Sequence, residues 1–148
     1  MALTHVAYRG TQPALLDVVG GQIAAAIGPV GDVIKFVGQP KYRILATTGA
    51  RRSRFAPDVP TLVEQGYKDL VFDEWYGFFL PRGASTDLVQ RMNQALQSAV
   101  NHPETEKGYG IVGLEAKTSS PEELKALLER DTARWGPIVK SIGFTATT

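Results

Sequence analysis

Cysteine is absent from the 148 residues, so disulfides and thiolate chemistry are excluded and the redox compartment stays open. Histidine is scarce. His5 and His102 stand alone, and no H-x-x-x-H or carboxylate cluster has metal-ligand spacing. No apolar run approaches the ~20 residues that cross a bilayer. The first ten residues, MALTHVAYRG, lack the basic and apolar regions of a signal peptide, so no export signal is expected in the chain as it stands. An excess of one charge is missing too. Sixteen Lys and Arg against fifteen Asp and Glu leave a net +1, which points to neither nucleic acid nor an acidic membrane. There is no G-x-S-x-G elbow, no G-x-x-x-x-G-K-[ST] loop and no G-x-G-x-x-G turn.

What is present is a globular composition, 43% hydrophobic and 21% charged, at a length that suits one domain or two small, incomplete lobes. Charge divides the chain near residue 70. Residues 1–71 carry eight basic and five acidic side chains, and residues 72–148 carry eight and ten, giving +3 and −2.

Strand and helix signals alternate along the chain. THVAYR reads as a strand by its alternation. Thr11 is placed to cap a helix with Pro13 in its first turn, closed by Gly20 and Gly21. QIAAAIG reads as a short strand, VGDVIKFVG as two helical turns, YRILATT as a buried strand, and TLVEQG as one or two helical turns ending at Gly66. LVFDEWYGFFLP reads as an aromatic strand, in which Trp75 and Phe79 fall on one face by alternation. Ser85 or Thr86 then caps a helix whose stripe of Leu88, Met92, Leu96 and Val100 should rest on a sheet. YGIVGLEA is glycine-interrupted and suits a short strand. The last helix starts at SSPEE, where Ser119 with Glu122 or Ser120 with Glu123 fits a capping box, and Gly136-Pro137 should kink or break it. The alternation argues α/β with largely parallel strands.

No catalytic set converges. Asp73 and Glu74 are adjacent on a strand and point to opposite faces, so they cannot form a close acid/base pair. The expectation is a protein that is not an enzyme and needs no cofactor or metal. Binding signals are better. Three strand-to-helix turns hold small residues: Gly10-Thr11, Gly28-Pro29-Val30 and Gly83-Ala84-Ser85-Thr86. Helix starts expose unpaired N–H groups and a positive dipole end, which suit a carboxylate or phosphate, although the same residues cap helices in any α/β protein. Tyr8 can present its hydroxyl beside the first turn or serve as a core tyrosine. The basic run ARRSR reads as a solvated loop. Of the aromatics between Phe72 and Phe79, some should lie off the main core, in a cleft or an interface.

HVAYRGTQPALLDVVGGQ resembles the H-V-P-Y-K-G-x-x-P-A-x-x-D-x-x-x-G-Q block of the tripartite tricarboxylate transporter substrate-binding proteins, also called the Bug family. YRILATTGARRSRFAPDVPTLVEQGY, WYGFFLPRGASTDLVQRMNQAL, and SSPEEL followed by RWGPIVKSIG resemble three further segments of that family, in register along nearly the whole chain. The resemblance implies an α/β, periplasmic-binding-protein-like (type II) fold with mainly parallel strands. Its two lobes close on a small carboxylate, which is handed to a membrane permease, and the location is periplasmic. By this resemblance residues 1–70 are the later part of one lobe and residues 71–148 the returning part of the other. The family's chain is longer before the H-V-P-Y-K-G block, so both lobes are expected to be partial and binding impaired. The ligand-binding residues implied are Tyr8, Gly10, Thr11, Gly28, Pro29, Trp75 and Tyr76, with no nucleic-acid partner.

Two stretches depart from the family pattern. A polar F-D-N-type turn is replaced by Ile27, Gly28 and Pro29, and residues 105–113 carry glycines where the family runs helical. Open strand edges in partial lobes predict a homo-oligomer. The competing readings are a non-binding oligomeric remnant with a structural role and a small α/β enzyme acting on an anionic substrate.

Overall fold

The computed structural model describes residues 4–145. Five helices are present among them: α1 (Thr11–Val19), α2 (Val30–Val33, extended by a 3-10 turn over Ile34–Phe36), α3 (Thr86–Val100), α4 (Pro103–Ile111) and α5 (Pro121–Ser141). The chain divides into two compact units. The first comprises Met1–Trp75 and Lys107–Glu115, and the second Tyr76–Glu106 and Ala116–Thr148.

In the first unit, α1 begins after Gly10, whose φ of 98° places it in the region that favours glycine. Gly10 therefore holds the cap position that the sequence suggested for Thr11, and Thr11 is the first helical residue. Gly20 and Gly21 end α1 as expected, with Gly21 at φ 76°. Ala14 and Leu15 of α1 are buried, as are Ala56, Val59 and Thr61 of the loop that follows residue 48. That loop is held by Arg52, whose Nε donates to both carboxylate oxygens of Glu64 at 2.9 and 3.0 Å and whose Nη1 donates to the Pro57 carbonyl. Glu64 also accepts from the Thr61 N–H at 2.7 Å, while the Glu64 N–H donates to Thr61 Oγ1 at 3.1 Å. This reciprocal pair is a capping box. It organises turns rather than the helix expected over TLVEQG, and Gly66 closes them at φ 97°.

The expected strands do not form ladders. Among the described residues the sole β pairing is a parallel bridge between Thr47 and Thr61. The segments expected as strands over residues 4–9, 22–28 and 70–81 carry no helical or ladder assignment. A strand needs a neighbour at ladder distance, and alternation in a single segment says nothing about whether one is there.

In the second unit, Ser85 rather than Thr86 caps α3, its side chain accepting from the Leu88 N–H at 3.2 Å. Ser120 caps α5 in a complete capping box with Glu123, which selects one of the two candidate pairs. A polar tie joins α3 to the start of α5: Asn93 Nδ2 and Gln97 Nε2 donate to the Ser119 carbonyl at 2.9 and 3.3 Å. The apolar stripe of α3 is only partly covered, since Leu88 and Met92 remain exposed. Tyr76, Phe78 and Phe79 are all exposed and show no inside–outside alternation, so the strand-face assignment of the aromatics fails there.

Two further expectations are corrected. YGIVGLEA is not a strand: α4 runs to Ile111 and the chain turns at Gly113, φ 70°. Pro103 at the helix start and Glu104 and Glu106 in its first turn favour the helix. Nor does Gly136-Pro137 break α5, which continues to Ser141. The carbonyl that Pro137 leaves without a helical donor lies in an exposed stretch, where water can take it.

The accessible surface is 11,880 Å² for a 16.0 kDa chain. Large apolar side chains stand exposed in each unit, among them Val6 and Leu45 in the first and Phe78 and Phe79 in the second.

Candidate functional site

Four of the residues singled out in the sequence come together in the first unit, at the start of α1. Gly10 caps the helix without a side-chain hydrogen bond, and no acidic residue occupies the first turn. The positive end of the helix is therefore neutralised by none of the chain's own carboxylates in that turn. The N–H groups of Thr11 and Gln12 have no acceptor within the helix, and Pro13 has no N–H to offer. Helices α3 and α5, by contrast, are capped by serines.

The second glycine turn passes directly over this helix start. A Cβ placed on Gly28 would lie 2.5 Å from Thr11 Cγ2 and 2.8 Å from Thr11 Oγ1, so any larger residue there would force the Thr11 side chain to shift. Pro29 follows as the cap of α2, again with no side-chain bond. Two residues that the sequence reading did not select hold the turns in place. Gln12 Nε2 donates to the Asp32 carbonyl at 3.4 Å, and Lys35 Nζ donates to Gln12 Oε1 at 3.3 Å. Their only sequence signal was proximity to the two turns.

Tyr8 makes a bond within the first unit. Its hydroxyl donates to Asp17 Oδ2 at 2.7 Å, so its proton is committed within the chain. The hydrogen bond to Asp17 holds the phenol above its ordinary pKa, with desolvation and the Asp17 charge acting in the same direction. Trp75 is half-buried at the end of the first unit, whereas Tyr76, 68% exposed, opens the second. The third turn, Gly83 to Thr86, serves as the cap of α3.

A separate hollow of about 290 Å³ lies elsewhere in the first unit, lined by Phe36, Tyr42, Arg43, Ile44 and Asp58 among others. Phe36 and Tyr42, both in its lining, stack on each other with ring centroids 4.2 Å apart. None of the residues selected from the sequence lines it.

The chemistry available at the α1 start is recognition. Backbone N–H donors at a helix end can accept a carboxylate, and close-approach glycines let the ligand reach them. Among the described residues no group of three or more His, Asp or Glu can hold a metal ion, and no helix is long and apolar enough to cross a membrane.

Comparison with known proteins gives one family. The model of the tripartite tricarboxylate transporter family receptor matches residues 1–144. The chain is similar to protein BugT of Bordetella pertussis, 25% identical over 96% of this chain and 44% of BugT. Two solved structures resemble it. R. palustris Rpa4515 with adipate is 25% identical with a TM-score of 0.78, over 93% of this chain and 46% of that one. The periplasmic binding protein BugD is 26% identical with a TM-score of 0.72, over 97% and 48%. The chain thus spans less than half the length of each of these proteins. With a family match over nearly every residue and the fold of part of a periplasmic binding protein, the chain belongs to the tripartite tricarboxylate transporter receptor family.

Proposed function

We propose that this chain contributes to a solute receptor that binds a small carboxylate without chemical conversion and passes it to a membrane permease. The observation that carries the reading is the meeting of the Gly10-Thr11 and Gly28-Pro29 turns at the uncapped start of α1. In a family of tricarboxylate transporter receptors, the backbone donors at the start of α1, with no acidic residue in that helix's first turn, are suited to an anion. The R. palustris neighbour, described with adipate, supports a small carboxylate as the ligand class. Trp75 and Tyr76 are proposed as aromatic walls for its apolar part. Residues 1–70 and 71–148 are assigned to different lobes of the receptor, and a periplasmic location follows from the same kinship.

Isothermal calorimetry and thermal-shift measurements with adipate, other dicarboxylates and tricarboxylates test this. A carboxylate that binds the folded chain raises its melting temperature as concentration passes Kd. Absence of any heat or shift across the series up to millimolar concentration overturns the reading for the chain by itself.

The open apolar surface supports a second reading, in which the chain assembles with copies of itself and acts structurally without a ligand. An assembly that responds to no carboxylate favours it.

A further inference from the structure

We infer that Tyr8 and Asp17 form a positioning clamp for the α1 start, and that Tyr8 is not itself a ligand contact. The inference rests on the carboxylate-receptor reading above, and it reassigns Tyr8 within that site.

Three observations carry it. First, the Tyr8 hydroxyl donates to Asp17 Oδ2 at 2.7 Å in a partly buried setting. A phenol has one proton, so once it is donated to Asp17 only lone pairs are left toward a ligand. Lone pairs repel a carboxylate, so in this arrangement Tyr8 cannot grip one. Second, the bond brackets the turn that does offer donors. Tyr8 stands two residues before Gly10, and Asp17 lies two turns into α1, so the clamp ties the incoming segment to the helix across the flexible glycine. Third, Asp17 secures the other end of the unit as well. Its backbone carbonyl accepts from the Gln22 N–H at 2.9 Å, and more weakly from the Ile23 N–H at 3.4 Å. One residue thus holds the segment entering α1 by its side chain and the segment leaving α1 by its backbone. Gln22 and Ile23 begin the stretch that leads to Gly28, which rests on Thr11.

The consequence is preorganisation. The direction of the Thr11 and Gln12 N–H groups is set by the angle at which the chain enters α1. A left-handed glycine leaves that angle soft unless something outside the turn fixes it. A carboxylate–phenol hydrogen bond is charge-assisted and directional, which suits that role.

The test is a double-mutant cycle with adipate as the probe. Tyr8→Phe and Asp17→Leu each remove the clamp, and Asp17→Asn keeps an oxygen that can accept from the phenol. The expectation is that Tyr8→Phe and Asp17→Leu weaken adipate binding by a similar, roughly five- to tenfold factor, and that the double variant is no weaker than either. Asp17→Asn, which keeps the acceptor and loses the charge, should fall between the parent and Asp17→Leu. Amide exchange at Leu15 and Leu16, whose N–H groups bond back to the first turn of α1, should accelerate in Tyr8→Phe and Asp17→Leu without ligand present. A large loss for Tyr8→Phe with none for Asp17→Leu would overturn the inference and make Tyr8 a ligand contact, as would additive losses. If Asp17→Leu does not fold, Tyr8→Phe and its exchange rates carry the test, and unchanged exchange overturns the clamp. Failure of the parent to bind adipate or any related carboxylate counts against the receptor reading, while the exchange measurements still decide the clamp.

Discussion

Gly31 and Gly113 meet backbone to backbone, although 82 residues separate them in sequence. A Cβ on Gly113 would lie 2.6 Å from Gly31 Cα, and one on Gly31 would strike the Val112 carbonyl oxygen. Neither obstacle is the far end of a flexible side chain, so a methyl group forces the main chain apart. Gly31→Ala is expected to cost about 1–3 kcal/mol by overpacking. Gly113→Ala adds about 1–2 kcal/mol more, because its φ of 70° disfavours any Cβ. Urea denaturation of both variants measures this, and parent-like midpoints would refute the contact.

The capping box at α5 gives a second expectation. Ser120→Ala removes the acceptor for the Glu123 N–H and should destabilise the second unit by about 1 kcal/mol, whereas Ser119→Ala should cost much less. Thermal melts of the two variants separate them.

Glu64 predicts a pH dependence. Its hydrogen bond with Arg52, then that from the Thr61 N–H, holds its carboxyl below the usual range. A carboxyl depressed in the folded state adds stability above its unfolded pKa, and that stability is lost as pH falls through the lower folded value. Acid should therefore weaken the first unit below the ordinary glutamate range. Glu64→Gln should flatten that part of the stability profile, and added salt should shrink the difference because the pair is exposed.

How far the molecule was legible in its sequence depends on the range of the physics. Caps at Ser85 and Ser120 and stops at Gly20 and Gly21 were readable because a helix end needs a partner within a few residues. Thr61 and Glu64 satisfy the same S/T-x-x-E rule, and their box was readable though not selected. Strand pairing was not readable, since alternation in residues 4–9 or 70–81 identifies a face and not a neighbour. The Gly10-Thr11 and Gly28-Pro29 turns were picked out separately, and the packing of Gly28 on Thr11 carries no signal in the sequence. Asp17 was missed as the partner of Tyr8 because a spacing of nine across a turn follows neither the helical nor the strand period.

Thr47 offers a test of a buried polar group. Its Oγ1 is fully buried and makes no hydrogen bond, while its backbone donates to the Pro60 carbonyl and accepts from the Leu62 N–H. Thr47→Val keeps the backbone bonds and removes the unpaired hydroxyl. The expected result is unchanged stability or a gain of up to about 1 kcal/mol, read from denaturant midpoints.

The open surface bears on association. Light scattering coupled to size exclusion should find a dimer or larger assembly at micromolar concentration, with Phe78→Ser and Phe79→Ser shifting it toward monomer. A monodisperse monomer of 16.0 kDa would contradict this.

Gly113 has a consequence for synthesis. The first unit is discontinuous, formed by Met1–Trp75 and Lys107–Glu115. A ribosome releases the chain in order, so Val30 and Gly31 emerge long before the residues that pack on them. The first unit cannot finish folding until some forty residues beyond Trp75 have been made. That places a high-contact-order step late in biogenesis.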